Sequence, residues 1–209
     1  MKKYLVEFIG TFFLVLAVGM NVIGNSANNF LPPLAIGATL MVMIFAGGHI
    51  SGGHYNPAVT LAVWLRGRCA TADLPGYWIS QILGALAASG VTLFLKGNPT
   101  VTPADLNTVP ALAAEFIGTF ALCYVVLNVA TAKGTAGNSF YGLAIGFTVV
   151  AMAFALGGVS GGAFNPAVAT GITFLHIEKA ANFWIYLVGN FAGGAVAACT
   201  FKFISPEDK

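Results

Sequence analysis

Charged side chains make up only 8% of this 209-residue sequence, against about 25% in soluble domains. A chain so poor in charge cannot clothe itself in a solvated surface, which excludes an ordinary soluble domain. Nine Lys and Arg against seven Asp and Glu leave a net charge of +2 with no basic run, so nucleic acid is not an expected partner. The three cysteines, Cys69, Cys123 and Cys199, are odd in number and far apart, which provides no disulfide framework. No cysteine or acidic cluster accompanies the histidines, and neither a metal site nor a cofactor is expected.

Apolar residues and glycine fill the space that charge leaves: 57% of the chain is hydrophobic and 26 residues are Gly. Apolar runs near 4–24, 34–50, 76–96, 111–132, 140–158 and 182–204 each approach the length of about 20 residues that a membrane-spanning helix needs. The first run follows Lys2-Lys3 and resembles a signal peptide. However, no small-residue cleavage site stands out and a copy of the run lies mid-chain, so it is read as a helix of the mature protein.

The sequence is internally duplicated. Glu7-Phe8-Ile9-Gly10-Thr11-Phe12 recurs as Glu115-Phe116-Ile117-Gly118-Thr119-Phe120, and the stretch from Ala35 to Val59 is answered 109 residues later from Ala144 to Val168. Downstream, Tyr77-Trp78-Ile79 matches Phe183-Trp184-Ile185 at a spacing of 106. Anchors in one order at nearly one spacing indicate two homologous halves, 1–100 and 111–209, within a single membrane domain covering 1–209. Three spans per half is an odd number, so the second copy begins on the opposite side of the membrane. With a cytoplasmic N-terminus, Lys2, Lys3, Arg66, Arg68, Lys133, Lys202 and Lys209 lie inside and only Lys96 and Lys179 outside, in accord with the positive-inside rule. The long polar loop near 97–110 then joins the halves outside.

Within each half, a Gly-rich bend leads into Asn56-Pro57-Ala58 or Asn165-Pro166-Ala167. The apolar piece that follows, to Leu65 or Leu175, is too short to cross: about 10 helical residues cover ~15 Å. Proline suits the first helical position and asparagine caps a helix, so each motif starts a half-helix. Inversion makes the two half-helices enter from opposite faces and meet at midplane, with both positive dipole ends directed inward. Irregular backbone at that depth must be buried or line a wet cavity, which predicts pore-lining carbonyls at Gly52, Gly53, His54, Gly161, Gly162 and Ala163. Glu7 and Glu115 are carboxylates inside spans. Their symmetric duplication favours braces for the loops over a proton relay, with His49 as a further loop-bracing residue. Gln81 is matched by Val188 and carries less weight. Gly189 with Gly193, and Gly84 with Ala88, permit close helix packing within the subunit.

The motif Gly48-His49-Ile50-Ser51-Gly52-Gly53-His54-Tyr55-Asn56-Pro57-Ala58-Val59-Thr60, with its second copy, resembles the aquaporin and aquaglyceroporin family over the whole chain, in its bacterial members most closely. The resemblance implies an all-α membrane protein, with six transmembrane helices plus two re-entrant half-helices in an inverted 3+3 repeat, a pore in each subunit and homotetramers. It also implies a multi-pass location in the bacterial cytoplasmic membrane with both termini cytoplasmic. By the family's spacing, the selectivity filter falls at Ile36, Ala153, Gly162 and Val168. The family's arginine after the second Asn-Pro-Ala is replaced by Val168, and the acidic residue that many glycerol channels carry next is replaced by Ala169. A filter of small apolar groups implies a passive channel of broad selectivity, for water and for glycerol, urea, ammonia, hydrogen peroxide or uncharged metalloid hydroxides.

Two other readings compete. An inverted-repeat secondary transporter would require an ion-coordinating cluster at midplane, where only Glu7 and Glu115 qualify. An intramembrane serine protease is suggested by Gly158-Val159-Ser160-Gly161, but it would require a base beside Ser160, and Ser160 has a twin in Ser51.

Overall fold

The computed structural model describes residues 1–25 and 31–208. Lys209, counted above among the inside charges, lies outside them. Among the described residues there are eight α-helices: α1 (Lys2–Val22), α2 (Leu31–Ser51), α3 (Pro57–Leu65), α4 (Leu74–Lys96), α5 (Thr108–Ala130), α6 (Tyr141–Ser160), α7 (Pro166–Phe174) and α8 (Phe183–Ile204). Six are long and apolar enough to cross a membrane. The other two, α3 and α7, have nine residues each and begin at the Asn-Pro-Ala prolines.

Large apolar side chains such as Leu5, Ile9 and Phe13 on α1 and Phe147 and Phe154 on α6 point outward, exposed, while Glu7, Thr11, Gln81, Glu115 and Asn190 are fully buried. This inside-out distribution is what lipid selects. Hydrocarbon takes the bulky apolar surface, and polar groups must find partners inside. Small residues then set the helix spacing. Helices α2 and α6 cross at Gly37 and Gly146, where a Cβ added to either would lie 2.6 or 2.5 Å from the other's carbonyl oxygen. Helix α4 abuts α1 at Gly84, whose added Cβ would meet the Phe8 carbonyl oxygen at 2.5 Å, and α8 abuts α5 at Gly193, which would meet that of Phe116 at 2.5 Å. The Gly84 and Gly189/Gly193 pairs thus pack within the subunit.

Gly84 and Gly193 occupy equivalent positions 109 residues apart, which corrects the spacing of 106 drawn from Trp78-Ile79 and Trp184-Ile185. That match equates Ile79, 59% exposed, with Ile185, 1% exposed. Trp78 is half-buried and donates to the Pro57 carbonyl at 3.2 Å, whereas Trp184 is exposed, so the two tryptophans hold different places and their resemblance carries no register. At a spacing of 109, the partner of Gln81 is Asn190 and not Val188.

Both ends of the described chain lie on one face. There Lys3 Nζ meets Asp73 Oδ2 at 2.6 Å, and Arg66, packed over the Phe201 ring, meets Asp208 Oδ1 at 2.6 Å. On the opposite face Lys96 Nζ donates to the Ile23 carbonyl at 2.8 Å. The segment joining the halves is pinned there by the Ala104 N–H donating to the Ile177 carbonyl at 3.2 Å.

Candidate functional site: a pore between two half-helices

Helix α2 stops at Ser51 because the chain turns into the left-handed region, with φ of +90° at Gly52 and +63° at Gly53, and Gly161 and Gly162 repeat the turn after α6 at +84° and +67°. The bend then forces Tyr55 and Phe164 to φ of 49° and 47°, which costs on the order of 1–3 kcal/mol for a bulky residue. Carboxylates hold the strained backbone. Glu7 Oε1 accepts from Ser51 Oγ at 2.6 Å and from the His54 N–H at 2.9 Å, while Oε2 accepts from the Tyr55 N–H at 2.6 Å and Gln81 Nε2 at 2.8 Å. Glu115 repeats the pattern with Ser160 Oγ at 2.7 Å, the Ala163 N–H at 3.0 Å and the Phe164 N–H at 2.7 Å. Every carboxylate oxygen of the two glutamates thus accepts from a loop donor.

Two tyrosines complete the brace that the sequence reading missed. Tyr77 Oη donates to the Ser51 carbonyl at 2.6 Å and Tyr186 Oη to the Ser160 carbonyl at 2.7 Å. The shared tyrosine at a spacing of 109 was the available signal, masked by the tryptophan match. His49 does not brace the loop. It is exposed at the end of α2 on the rim of a cavity, and Ser51, Tyr77 and Gln81 make the bonds expected of it. Asn190, shorter than Gln81, instead accepts from Thr119 Oγ1 at 2.9 Å. Ser160 donates to a glutamate as its twin Ser51 does, and both oxygens of that glutamate are held by backbone N–H groups of the loop, an arrangement that serves a symmetric bend and not a protease nucleophile.

The asparagines do three things at once. Asn56 Oδ1 accepts from the Ala58 N–H at 2.8 Å and the Val59 N–H at 3.4 Å, capping α3. Asn165 Oδ1 accepts from the Ala167 N–H at 2.8 Å and the Val168 N–H at 3.4 Å, capping α7. Each Nδ2 crosses to the other loop, Asn56 to the Phe164 carbonyl and Asn165 to the Tyr55 carbonyl, both at 2.9 Å. A primary amide carries two donors, so one N–H of each asparagine remains for a solute. The tyrosine and phenylalanine before the asparagines are seated on Gly10 and Gly118, where a Cβ would lie 2.1 and 2.2 Å from their rings.

Two cavities flank this region. One, of about 780 Å³ on the terminal face, is lined by His49, Gly52, His54, Arg68, Asp73 and Lys133 among others. The second, of about 670 Å³ on the opposite face, is lined by the four residues expected at the filter, Ile36, Ala153, Gly162 and Val168, together with Gly53, Gly161, Ala163, Asn56 and Asn165. His54 and Val126 border both. Leu14, Leu40, Ile44, Leu122 and Ile145 also line the second cavity. As members of otherwise uniform apolar helices, they carried no sequence signal for that role. Glu178, likewise unforeseen, lines it from the turn after α7. Among the described residues no group of His, Cys, Asp and Glu could hold a metal ion.

A family profile described as Major intrinsic protein matches residues 1–201. The chain belongs to the major intrinsic protein family. It is a membrane channel and not an enzyme. All of the chain aligns with Aquaporin NIP1-1 of Zea mays at 38% identity, covering 76% of that protein. It also aligns over its whole length with all of Glycerol uptake facilitator protein-like 6 of Lactiplantibacillus plantarum at 34%. The X-ray structure of the aquaglyceroporin from Plasmodium falciparum superposes with a TM-score of 0.83 over 99% of this chain and 97% of that one, at 23% identity.

Proposed function

We propose that this major intrinsic protein is a passive channel of broad selectivity for water and small neutral solutes, among them glycerol and urea, with ammonia, hydrogen peroxide and uncharged metalloid hydroxides in the same class. The observation that carries the reading is the pair of cross-bonded asparagines lining one of two cavities that share a border at His54 and Val126. A neutral solute exchanges hydration for asparagine N–H groups and loop carbonyls, whereas a cation faces the positive ends of α3 and α7. Ile36, Ala153, Gly162 and Val168 form the constriction. None brings a charged or hydrogen-bonding side chain, which favours breadth over stereospecificity. The names of the maize and Lactiplantibacillus relatives, an aquaporin and a glycerol facilitator, support the same solute class.

The proposal extends to two repeats, 1–100 and 111–209, a homotetramer in the lipid bilayer of a bacterial cytoplasmic membrane, and both termini on the cytoplasmic side, the side to which the positive-inside rule assigns the more basic loops. A coupled transporter is disfavoured because the oxygens of Glu7 and Glu115 are engaged by loop donors.

The test is stopped-flow light scattering on proteoliposomes of wild type and Val168→Arg. Rapid water and glycerol flux in wild type, with glycerol flux lost in the variant, is the expected result. Uphill solute movement driven by a proton or sodium gradient would overturn the channel reading.

A further inference from the structure

The two halves of the pore differ in one chemically consequential way. In the first half the His54 ring fills the space beside Gly52, so that a Cβ added there would meet Nε2 at 3.0 Å, and the same ring packs on Tyr77 with centroids 4.9 Å apart. In the second half Ala163 stands in place of His54 and supplies no ring. The corresponding space beside Gly161 holds a carboxyl from another segment: an added Cβ there would meet Glu178 Oε1 at 3.1 Å, with the Tyr186 hydroxyl at 3.5 Å.

Glu178 belongs to the turn between α7 and α8 and is 2% exposed. Its backbone is fixed by the neighbouring bond from Ala104 to Ile177 and by its own N–H donating to the Ile172 carbonyl at 3.3 Å. Its Oε2 is buried without a hydrogen-bond partner among the described residues. Buried acceptors are rarely left unpartnered unless a ligand, an ion or water supplies the donor. Glu178 and Gly161 both line the second cavity, the outer one when the termini are cytoplasmic, and with no side chain at Gly161 the carboxyl stands 3.1 Å, at Oε1, from where a Cβ would lie. Burial pushes the carboxyl above the usual carboxylate range.

We propose that Glu178 is a specificity-determining acceptor in the outer cavity. It receives hydrogen bonds from small neutral solutes rich in N–H or O–H donors, amides above all, as they pass the carbonyls of Gly161, Gly162 and Ala163. This inference rests on the channel reading. Where the constriction lacks hydrogen-bonding side chains, a solute with several donors gains from an acceptor flanking the line of carbonyls, whereas water needs no such second acceptor. The proposal therefore predicts an effect on the ratio of amide to water flux and not on flux as a whole.

The experiment compares urea and water permeability in proteoliposomes of wild type, Glu178→Leu and Glu178→Gln. The leucine variant is expected to lower the urea-to-water ratio about fivefold, the order of one net hydrogen bond, while glutamine, which keeps an acceptor oxygen, restores most of it. An unchanged ratio in both variants, or urea and water falling in proportion, would overturn the proposal. If the leucine variant does not insert, the pH profile of the glutamine variant decides. The wild-type ratio is expected to rise with pH as the carboxyl ionises, and the Glu178→Gln ratio to stay flat. The titratable neighbours, Tyr186 on α8, the adjacent Lys179 and Glu115 on α5, together with His54 in the first loop, remain in that variant, so the difference isolates Glu178. Identical profiles would overturn the proposal. A wild type passing neither water nor urea would defeat the channel reading, and this inference with it.

Discussion

Asn56 and Asn165 are each bonded to the residue that precedes the other, through the carbonyls of Phe164 and Tyr55 at 2.9 Å. The two half-helices are therefore not merely adjacent. Each cap locks the strained turn of the opposite half, so the orientation of the remaining amide N–H groups is set jointly and neither loop can move alone.

Replacing Asn56 by Asp tests that lock. Aspartate caps a helix as well as asparagine does, so α3 should survive, but its second oxygen would face the Phe164 carbonyl and two acceptors would oppose each other. The expected outcome is a lower melting temperature and, with a negative charge at the junction, a cation current in planar bilayers that wild type lacks. Asn165→Asp should behave alike. Wild-type melting in both variants would show that the cross-bonds contribute nothing to stability.

The braces make a graded prediction. Glu7 collects four donors and Glu115 three. In Glu→Gln the new amide nitrogen would confront a backbone N–H, leaving buried groups unpaired at about 1–3 kcal/mol each. Both variants should melt lower in detergent by tryptophan fluorescence, Glu7→Gln more than Glu115→Gln, and both should lose water flux. Tyr77→Phe and Tyr186→Phe each remove one bond and should cost about 1 kcal/mol.

Helix spacing can be tested by adding single methyl groups. Gly84→Ala and Gly193→Ala each place Cβ 2.5 Å from a backbone oxygen of the neighbouring helix, whereas Gly90→Ala meets nothing within 4 Å. The first two should lower the melting temperature by forcing α4 from α1 and α8 from α5, at about 1–3 kcal/mol. Gly90→Ala should leave it unchanged or raise it slightly, because alanine is the better helix former. Equal melting of all three would mean that the contacts yield without cost.

At the terminal face the Arg66 side chain is 3% exposed and Asp208 supplies its ion pair, while Asp208 Oδ2 also accepts from the Lys133 N–H at 2.7 Å. Asp208→Ala should strand a buried guanidinium whose Nε already lacks a partner among the described residues. A buried charge left alone is strongly unfavourable, so melting should fall, and Arg66→Met in the same background should recover part of the loss. No recovery would show that packing and not charge is at stake.

The sequence by itself determined the solvent, the six spans, the doubling of the Asn-Pro-Ala motif and the half-helices that follow it. These are local properties: an apolar run long enough to cross hydrocarbon, a proline at a first helical position, an asparagine able to cap it, and glycines where the backbone must turn left-handed. Glu7 and Glu115 were legible as braces because a buried carboxylate that occurs twice, in register, serves a symmetric structure. Tertiary structure alone decided the register of α4 and α8, in which Tyr77 answers Tyr186 and Gln81 answers Asn190. The tryptophan match had misled because Trp78 is held by the Pro57 carbonyl while Trp184 is exposed, and like residues in unlike surroundings fix no common spacing; tertiary structure alone shows that difference. It also moved the brace from His49 to Ser51, Tyr77 and Gln81, and brought Glu178 into the space that Ala163 leaves empty. Those relationships arise where segments distant along the chain come within a few ångströms, and no local pattern of residues encodes such an approach.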